Sequence, residues 1–433
     1  MANPPNAALP PDHVTVIGAG VVGVATAFAL RREGLPVTLV DRDAPGMGCS
    51  YGNAGAVSPG SVAPIAMPGV LAQVPKYLVD RFSPVHVRLE GLHRTAPWLV
   101  RFVMSARPSR VEQISRALAQ LQAPALERYR AVLKDVGAPE LLQLTGQLHL
   151  YPDAAAFAKD AGVWRLRRAR GVAVEDIGRR EIRQLEPAVG ERYGCGVYLP
   201  NEGMIRNPHR AVEAIAAAYA GSGGEILRCE VRGFENGAEG PTHLVTSDGR
   251  RPVRRVVIAA GAWSHRLVAQ LGCRVPLQTQ RGYHLMLPTP GVEIRRPVVA
   301  ADAKCFATPM EGGLRLAGTV EIASLEAAPD FRRARALYHH GRRLLPGLSD
   351  ADAREWMGHR PCLPDSLPVI GPLPNAPSVI AAFGHGHLGL TGAVVTGDLV
   401  ADILCLRPPS VDLAPFSIRR FGNRPSPLPV RGN

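Results

Sequence analysis

Val14 to Asp41 reads V-T-V-I-G-A-G-V-V-G-V-A-T-A-F-A-L-R-R-E-G-L-P-V-T-L-V-D. A short β-branched run leads into a glycine turn, an apolar helical stretch and a second β-branched run that stops on an acid. Each residue type has a physical reason to stand there. Gly18 lets the chain leave the first strand sharply, Gly20 leaves bare backbone for a pyrophosphate, and Gly23 lets the helix lie close on the sheet. The amides that open the helix, at Val21 and Val22, have no intrahelical acceptor and suit phosphate oxygens. Asp41 follows Gly18 by 23 residues, near the spacing of about 20 at which an acid reaches ribose hydroxyls. The stretch is a strand-turn-helix-strand unit for a dinucleotide, and Arg42 directly follows its acid.

Outward from this unit, R-D-A-P-G-M-G-C-S-Y-G-N-A-G-A-V-S-P-G supplies small residues soon after the ribose acid. That suits a second backbone wrap around a long cofactor, with Ser50, Asn53, Ala54 and Gly55 as contacts. Ser61 to Asp80 carries Pro64, Pro68 and Pro75, which forbid one long helix. The stretch is expected to cover the active site as a loop or to touch a membrane. Helical spacing marks Leu92 to Met104, Val111 to Val136 and Ala154 to Arg170, the first two as a helical insertion, and Gln147 to Tyr151 alternates as a strand. Asn207 and Pro208 cap and open a helix to Tyr219. Glu225 to Phe234 is expected as one strand, followed by a hairpin across Ser247-Asp248-Gly249. V-V-I-A-A-G-A-W-S, Val256 to Ser264, is a buried parallel strand whose end at Ala260 and Gly261 offers backbone to a ligand before Trp263 opens a helix.

From Arg274 to Leu287 the pattern takes the period of a strand. With Cys305 to Pro309 and Leu314 to Gly318 it predicts an antiparallel sheet, and Phe331 to Leu345 a helix. The chain closes with S-V-I-A-A-F-G-H-G-H-L-G-L-T-G-A, an apolar strand, a second glycine turn and an apolar helix. Residues beyond Arg407 are expected to run along the surface. The fold class is α/β: a Rossmann-type dinucleotide-binding domain from residues 1–60, 201–272 and 366–433, with a second α+β domain from 61–200 and 273–365.

Composition narrows the function. The 433 residues exceed one typical domain. The start of the chain lacks the basic and apolar regions of a signal peptide, so a cytoplasmic protein is expected. Seven scattered cysteines form no C-x-x-C pair, which suggests neither a disulfide framework nor a metal site. The net charge of +13 invites a nucleic-acid partner, yet only four of the 50 basic residues are lysines, leaving 46 arginines. That skew points to base composition, and no nucleic-acid partner is expected. Arg165, Arg167, Arg168 and Arg170 lie together on one helical stretch, read as a solvated face or a contact for anionic lipid.

Four separated motifs, in order, resemble the D-amino-acid oxidase superfamily and its bacterial D-amino-acid dehydrogenases. They are the Gly18 turn, C-S-Y-G-N-A-G-A-V-S-P-G, A-A-G-A-W-S, and the pair G-H-R-P and G-H-G-H-L-G. The resemblance covers nearly the whole chain and implies non-covalent FAD, with Val231 and the turn Gly386, His387, Leu388, Gly389, Leu390 beside it. It implies oxidative deamination of a D-amino acid by hydride transfer from Cα to flavin N5, with electrons passed to a quinone or other carrier. Arg360, in G-H-R-P, is then the carboxylate clamp, a planar fork suited to two oxygens. Tyr283 aligns with a tyrosine that helps bind the carboxylate, and His387 lies at the inner edge of the flavin; Arg281 and His284 are further candidates. R-P-C-L-P-D-S-L-P-V-I-G and Q-R-G-Y-H look like hydroxyproline-pathway relatives, which makes D-proline and hydroxyproline candidate substrates. The alternatives are an oxygen-using oxidase of glycine, sarcosine or another amine, and an electron-transfer subunit docked peripherally on the inner face of the cytoplasmic membrane.

Overall fold

The β-branched runs at Val14–Ile17 and Val37–Asp41 pair in parallel, because the helix between them, Val21–Arg32, returns the chain to the same edge. A computed structural model of the chain describes residues 9–69, 85–88, 92–238 and 240–424. In space the strands run Glu225–Arg228, Val37–Asp41, Val14–Ile17, Arg255–Ile258, Ala376–Phe383 and Val369–Leu373. All pairs are parallel except the last. Strands buried on both faces read as continuous apolar runs, which is why V-V-I and S-V-I-A-A-F carry no polar alternation.

One face is covered by three crossed helices. Gly397, on the Gly389–Leu404 helix, meets the Val21–Arg32 helix so closely that a Cβ there would stand 2.8 Å from the Ala25 carbonyl oxygen. Pro208–Gly221 packs on the other flank, with the Asn207 side chain accepting from the Arg210 amide as its cap. The segment Gly386–Leu404 is long and apolar enough to cross a membrane. Its Leu390, Ala393, Val394, Leu399 and Val400 instead lie in the core of this layer.

The second layer is a ten-stranded sheet. Its central strand Gln278–Leu287 pairs antiparallel with Arg354–Cys362, Gly313–Ala317 and Val320–Ile322. The sheet expected as antiparallel is mixed. Val298–Ala300 runs parallel to Gln147–Tyr151, and Val320–Ile322 runs parallel to Val85–Val87.

Several expectations change in detail. Val111 to Val136 is two helices, Pro108–Gln122 and Ala125–Asp135, because Pro124 cannot donate into the first. Ile114, Leu118, Leu121, Tyr129 and Leu133 bury themselves in the dinucleotide-binding layer, not against the second sheet that residues 61–200 were expected to serve. Ala154 to Arg170 likewise breaks at Asp160. Glu225 to Phe234 is two strands that belong to different sheets, Glu225–Arg228 and Val231–Asn236. The C-terminal stretch is anchored, with Phe416 and Ile418 fully buried. Of Ser61 to Asp80, residues 70–80 lie outside the described residues.

Candidate active site between the two sheets

Gly18 turns the chain at φ +107°, and any Cβ there would stand 2.4 Å from the Ala259 carbonyl oxygen. The first glycine turn therefore closes onto the end of the Arg255–Ile258 strand, and two distant motifs meet. Gly23 is tighter still: its Cβ would stand 1.7 Å from the Gly18 carbonyl oxygen. Gly20 has only the Ser50 hydroxyl near it, so bare backbone is left open at the helix start. Ser50 accepts from the Val21 amide at 2.9 Å and takes the cap that Gly20 cannot supply. Asp41 accepts from the Ala19 and Asp43 amides, which fix its carboxylate at the strand end. Arg42 lies over the Trp263 ring at 4.3 Å. These features fit a dinucleotide: open amides, an oriented acid and a cradle that a side chain would fill.

The cleft that begins here has a volume of about 1180 Å³ and runs to the second sheet. Every expected cofactor residue borders it except Gly23 and Gly55. Those two act behind the wall: Gly55, at φ +77°, lets the N-A-G segment pass against the Ile205 carbonyl oxygen. Asn53 accepts from the Gly55 amide at 2.8 Å. Ser61, Pro64, Ile65 and Met67 border the cleft from above, as a covering loop would.

The far wall follows from strand alternation. On Gln278–Leu287, successive side chains point to opposite faces, so Gln280, Gly282 and His284 share the cleft face. Arg360 stands opposite Gln280 in register. Its guanidinium lies flat over Gly282, where a Cβ would be 2.2 Å from Cζ, and Nη1 donates to the Thr319 carbonyl at 3.0 Å. An isolated bridge between Cys362 and His385 ties this strand to the C-terminal turn. His387 then places Nε2 3.2 Å from Gln280 Oε1. Arg360, Gln280 and His387 thus come together from three parts of the chain.

The electrostatics favour an anion. No carboxylate lies within ion-pairing distance of Arg360 among the described residues. Burial pushes the neighbouring Cys362 thiol up to about 12 even beside Arg360, and does the same to Cys49, so neither is a thiolate counter-ion. The His387 side chain is exposed into the open cleft, with the protein walls around it. Burial first, and the Arg360 charge second, lower its imidazole to about 3. His284 is lowered to about 3 by burial and then by Arg315, and donates from Nδ1 to the Gly52 carbonyl. At neutral pH the cation of this wall is the guanidinium.

Tyr283 is placed otherwise than the sequence implies. It borders the cleft, yet its hydroxyl donates to Glu321 Oε2 at 2.6 Å and accepts from the Asp330 amide at 3.0 Å. One position along from Gly282, it follows the pleat to the opposite face. Arg281 is fully buried, with Nη1 3.2 Å from the same Glu321. Both belong to a buried cluster completed by Arg88, which donates to Glu321 Oε1. His385 is also structural, with Nε2 2.9 Å from the Thr396 hydroxyl.

Sequence reasoning passed over Gly282, Gln280, Arg315 and Trp356. Arg315 donates to the Tyr51 and Asn53 carbonyls and holds the second wrap in place. Its signal was an arginine inside the apolar run G-L-R-L-A. Trp356 stacks on His284, ring centroids 5.0 Å apart, and fills the space above Gly52 and Gly358. Two glycines on separate segments gave no local sign of one shared indole.

Comparison with known proteins agrees with this geometry. Residues 13–403 match the family described as FAD dependent oxidoreductase. The chain is 41% identical to a D-amino-acid oxidase of Bradyrhizobium diazoefficiens, over 94% of this chain and 99% of the relative. It is 32% identical to D-amino acid dehydrogenase 2 of Ralstonia nicotianae, over 94% and 100%. Among solved structures it is similar to glycine oxidase from Geobacillus kaustophilus, with a TM-score of 0.72 at 24% identity over 94% of this chain and 98% of that one. It is also similar to L-proline dehydrogenase from P. horikoshii, with a TM-score of 0.73 at 18% identity over 95% and 97%.

Proposed function

This chain belongs to the family of FAD-dependent oxidoreductases, and from that premise we propose that it oxidatively deaminates a D-amino acid. The observation that carries the reading is Arg360, a half-buried guanidinium with no carboxylate in ion-pairing distance among the described residues, held flat on Gly282 and facing a cleft that also holds the cofactor residues. The relatives named for D-amino acids support the choice of substrate class.

The flavin, when bound, supplies the two-electron acceptor for the hydride that leaves the substrate α-carbon. Everything else is positioning by this chain. Arg360 takes the substrate carboxylate, and its contact with Thr319 fixes the plane of the fork. The substrate amine enters neutral, so the nitrogen lone pair assists as the C–H bond breaks and no protein base is required. Neutral His387, held through Gln280, adds no second cation against the amine. The backbone turn at Gly386 to Leu390 directs the dipole of the Gly389–Leu404 helix toward the cleft, where it favours negative charge. The imino acid that results is hydrolysed by water to a keto acid and ammonia.

Electrons then leave to a quinone or another carrier, as the relatives named dehydrogenase suggest. Direct use of oxygen is the second reading, favoured by the relative named oxidase at 41% identity. Anaerobic spectral titration of the purified protein with paired D- and L-amino acids, including proline and 4-hydroxyproline, tests the function. Bleaching by D-forms alone is expected, and bleaching by L-forms alone overturns the reading. Admitting air then separates the acceptors: rapid recolouring marks an oxidase, and persistent bleaching marks a dehydrogenase that needs a carrier.

A further inference from the structure

The cleft does not stop at Arg360. It continues past Phe306 to an arm bordered by Val163, Arg167, Lys304 and Asp160. Phe306 stands opposite Ala317, which stands opposite His284, so the arm continues the cleft face of the sheet strand by strand. Adjacent strands lie about 4.8 Å apart. Arg360 is bonded at Thr319, beside Gly318, and the Lys304 carbonyl lies 2.0 Å from where a Gly318 Cβ would be. The start of the arm is thus about one to two strand spacings from the Arg360 head, within reach of an amino-acid side chain.

The charges in this arm are unequal. Lys304 Nζ pairs with Asp160 at 3.3 Å, and Asp160 also accepts from the Tyr151 hydroxyl at 2.9 Å. Arg167 stacks over Trp164 at 4.8 Å, its Nε is buried without a hydrogen-bond partner, and no ion pair involves it among the described residues. Glu202 and Asp160 both act on it at longer range than an ion pair, and burial raises the Glu202 carboxyl to about 7. Arg167 and Lys304 both act on the same half-buried His149, which marks where their charges converge. Of the other arginines first read as a solvated or lipid-facing group, Arg168 pairs with Asp176 and Arg170 with Glu112, and Arg165 is exposed.

We propose that this arm is the side-chain subsite, and that Arg167, with Lys304 beside it, selects a D-amino acid whose side chain ends in a second carboxylate, such as D-glutamate or D-aspartate. The proposal rests on the function given above. A half-buried guanidinium with no ion pair on a cleft wall recognises a planar anion, and a neutral or purely hydrocarbon side chain would leave that charge unmatched.

The test compares D-glutamate, D-glutamine, D-alanine and D-proline on the holoprotein, wild type against Arg167→Met. The wild type should reduce fastest with the dicarboxylic substrate, by about tenfold or more in kcat/KM over D-glutamine. Arg167→Met should lose about 30-fold or more on D-glutamate, with less than about threefold change on D-alanine. Arg167→Lys should recover part of the loss, and Lys304→Met serves if Arg167→Met does not fold. Calorimetry adds a readout apart from turnover: glutarate should bind the wild type more tightly than butyrate, and that difference should shrink in Arg167→Met. Equal rates on D-glutamate and D-glutamine, or an equal loss on all substrates, overturns the subsite while D-alanine turnover keeps the function. Failure of every D-amino acid to bleach the flavin overturns both.

Discussion

The glycine turn at Gly18 and the strand at Gln280 to His284 are both short, and both line the same cleft, but they are built in different ways. The turn is assembled from neighbours. Gly18, Gly23, Val21 and Ser50 hold one another, and each glycine is required by an atom nearby in the chain or on the adjoining strand. The Gln280 to His284 strand does nothing by itself. Its function depends on which face each residue presents, on Arg360 paired from 80 residues away, and on His387 brought in by the C-terminal turn. A cofactor site made of backbone is a local object, whereas a substrate site made of side chains on a sheet is a product of register.

The strongest challenge to that contrast is Arg360→Met. Truncating one partner of a charge pair that substrate binding buries costs roughly 2–5 kcal/mol, so the apparent substrate dissociation constant should rise by about 30-fold or more while flavin stays bound. Stopped-flow titration under nitrogen reads it, and unchanged affinity would remove Arg360 from the substrate site.

Next is a pH effect at Glu202. Burial raises this carboxyl to about 7 from an ordinary 4.5, with Arg167 opposing. The folded chain therefore holds a proton that the unfolded chain has released between those values, and stability must fall as pH rises through that window. The loss is roughly 3 kcal/mol at most. Glu202→Gln cannot ionise, so its melting temperature should gain on the wild type between pH 5 and pH 8. Parallel pH profiles for the two proteins would show the carboxyl to be ordinary.

Tyr283→Phe separates the alignment from the pleat. If the hydroxyl serves Glu321, the variant loses about 1–3 kcal/mol of stability by stripping a donor from a buried carboxylate, and KM hardly moves. A KM that rises by an order of magnitude with stability intact would return Tyr283 to the substrate.

The smallest effect belongs to the local half. Ser50→Ala removes the acceptor of the Val21 amide, worth about 1 kcal/mol as a cap, and should weaken flavin binding about fivefold without altering substrate preference. A change in preference would mean that the two halves of the cleft are less separate than their construction implies.

Legibility in the sequence follows the same division. The dinucleotide unit, its acid and the A-A-G-A-W-S strand end could be read because glycine, β-branched and acidic residues at those spacings satisfy backbone geometry, which is local. Arg360 stood out through its motif, and it borders the cleft. The bonds of the Tyr283 hydroxyl to Glu321 and Asp330 were not legible, because a resemblance aligns residues without saying which way a pleat turns them. Gly282 looked like an ordinary glycine until a guanidinium lay on it, and Arg167 looked like one basic residue in a run of four.

By itself, then, the sequence determined the dinucleotide unit, its glycine turns and the cofactor they hold, since these depend on backbone conformation and burial within a few residues. Only the tertiary structure decided which side chains face the cleft, how the helices at 108–135 join the dinucleotide layer, and where arginines without an ion pair border the cleft. Those depend on register and on distances between segments far apart in the chain, which neither periodicity nor composition carries.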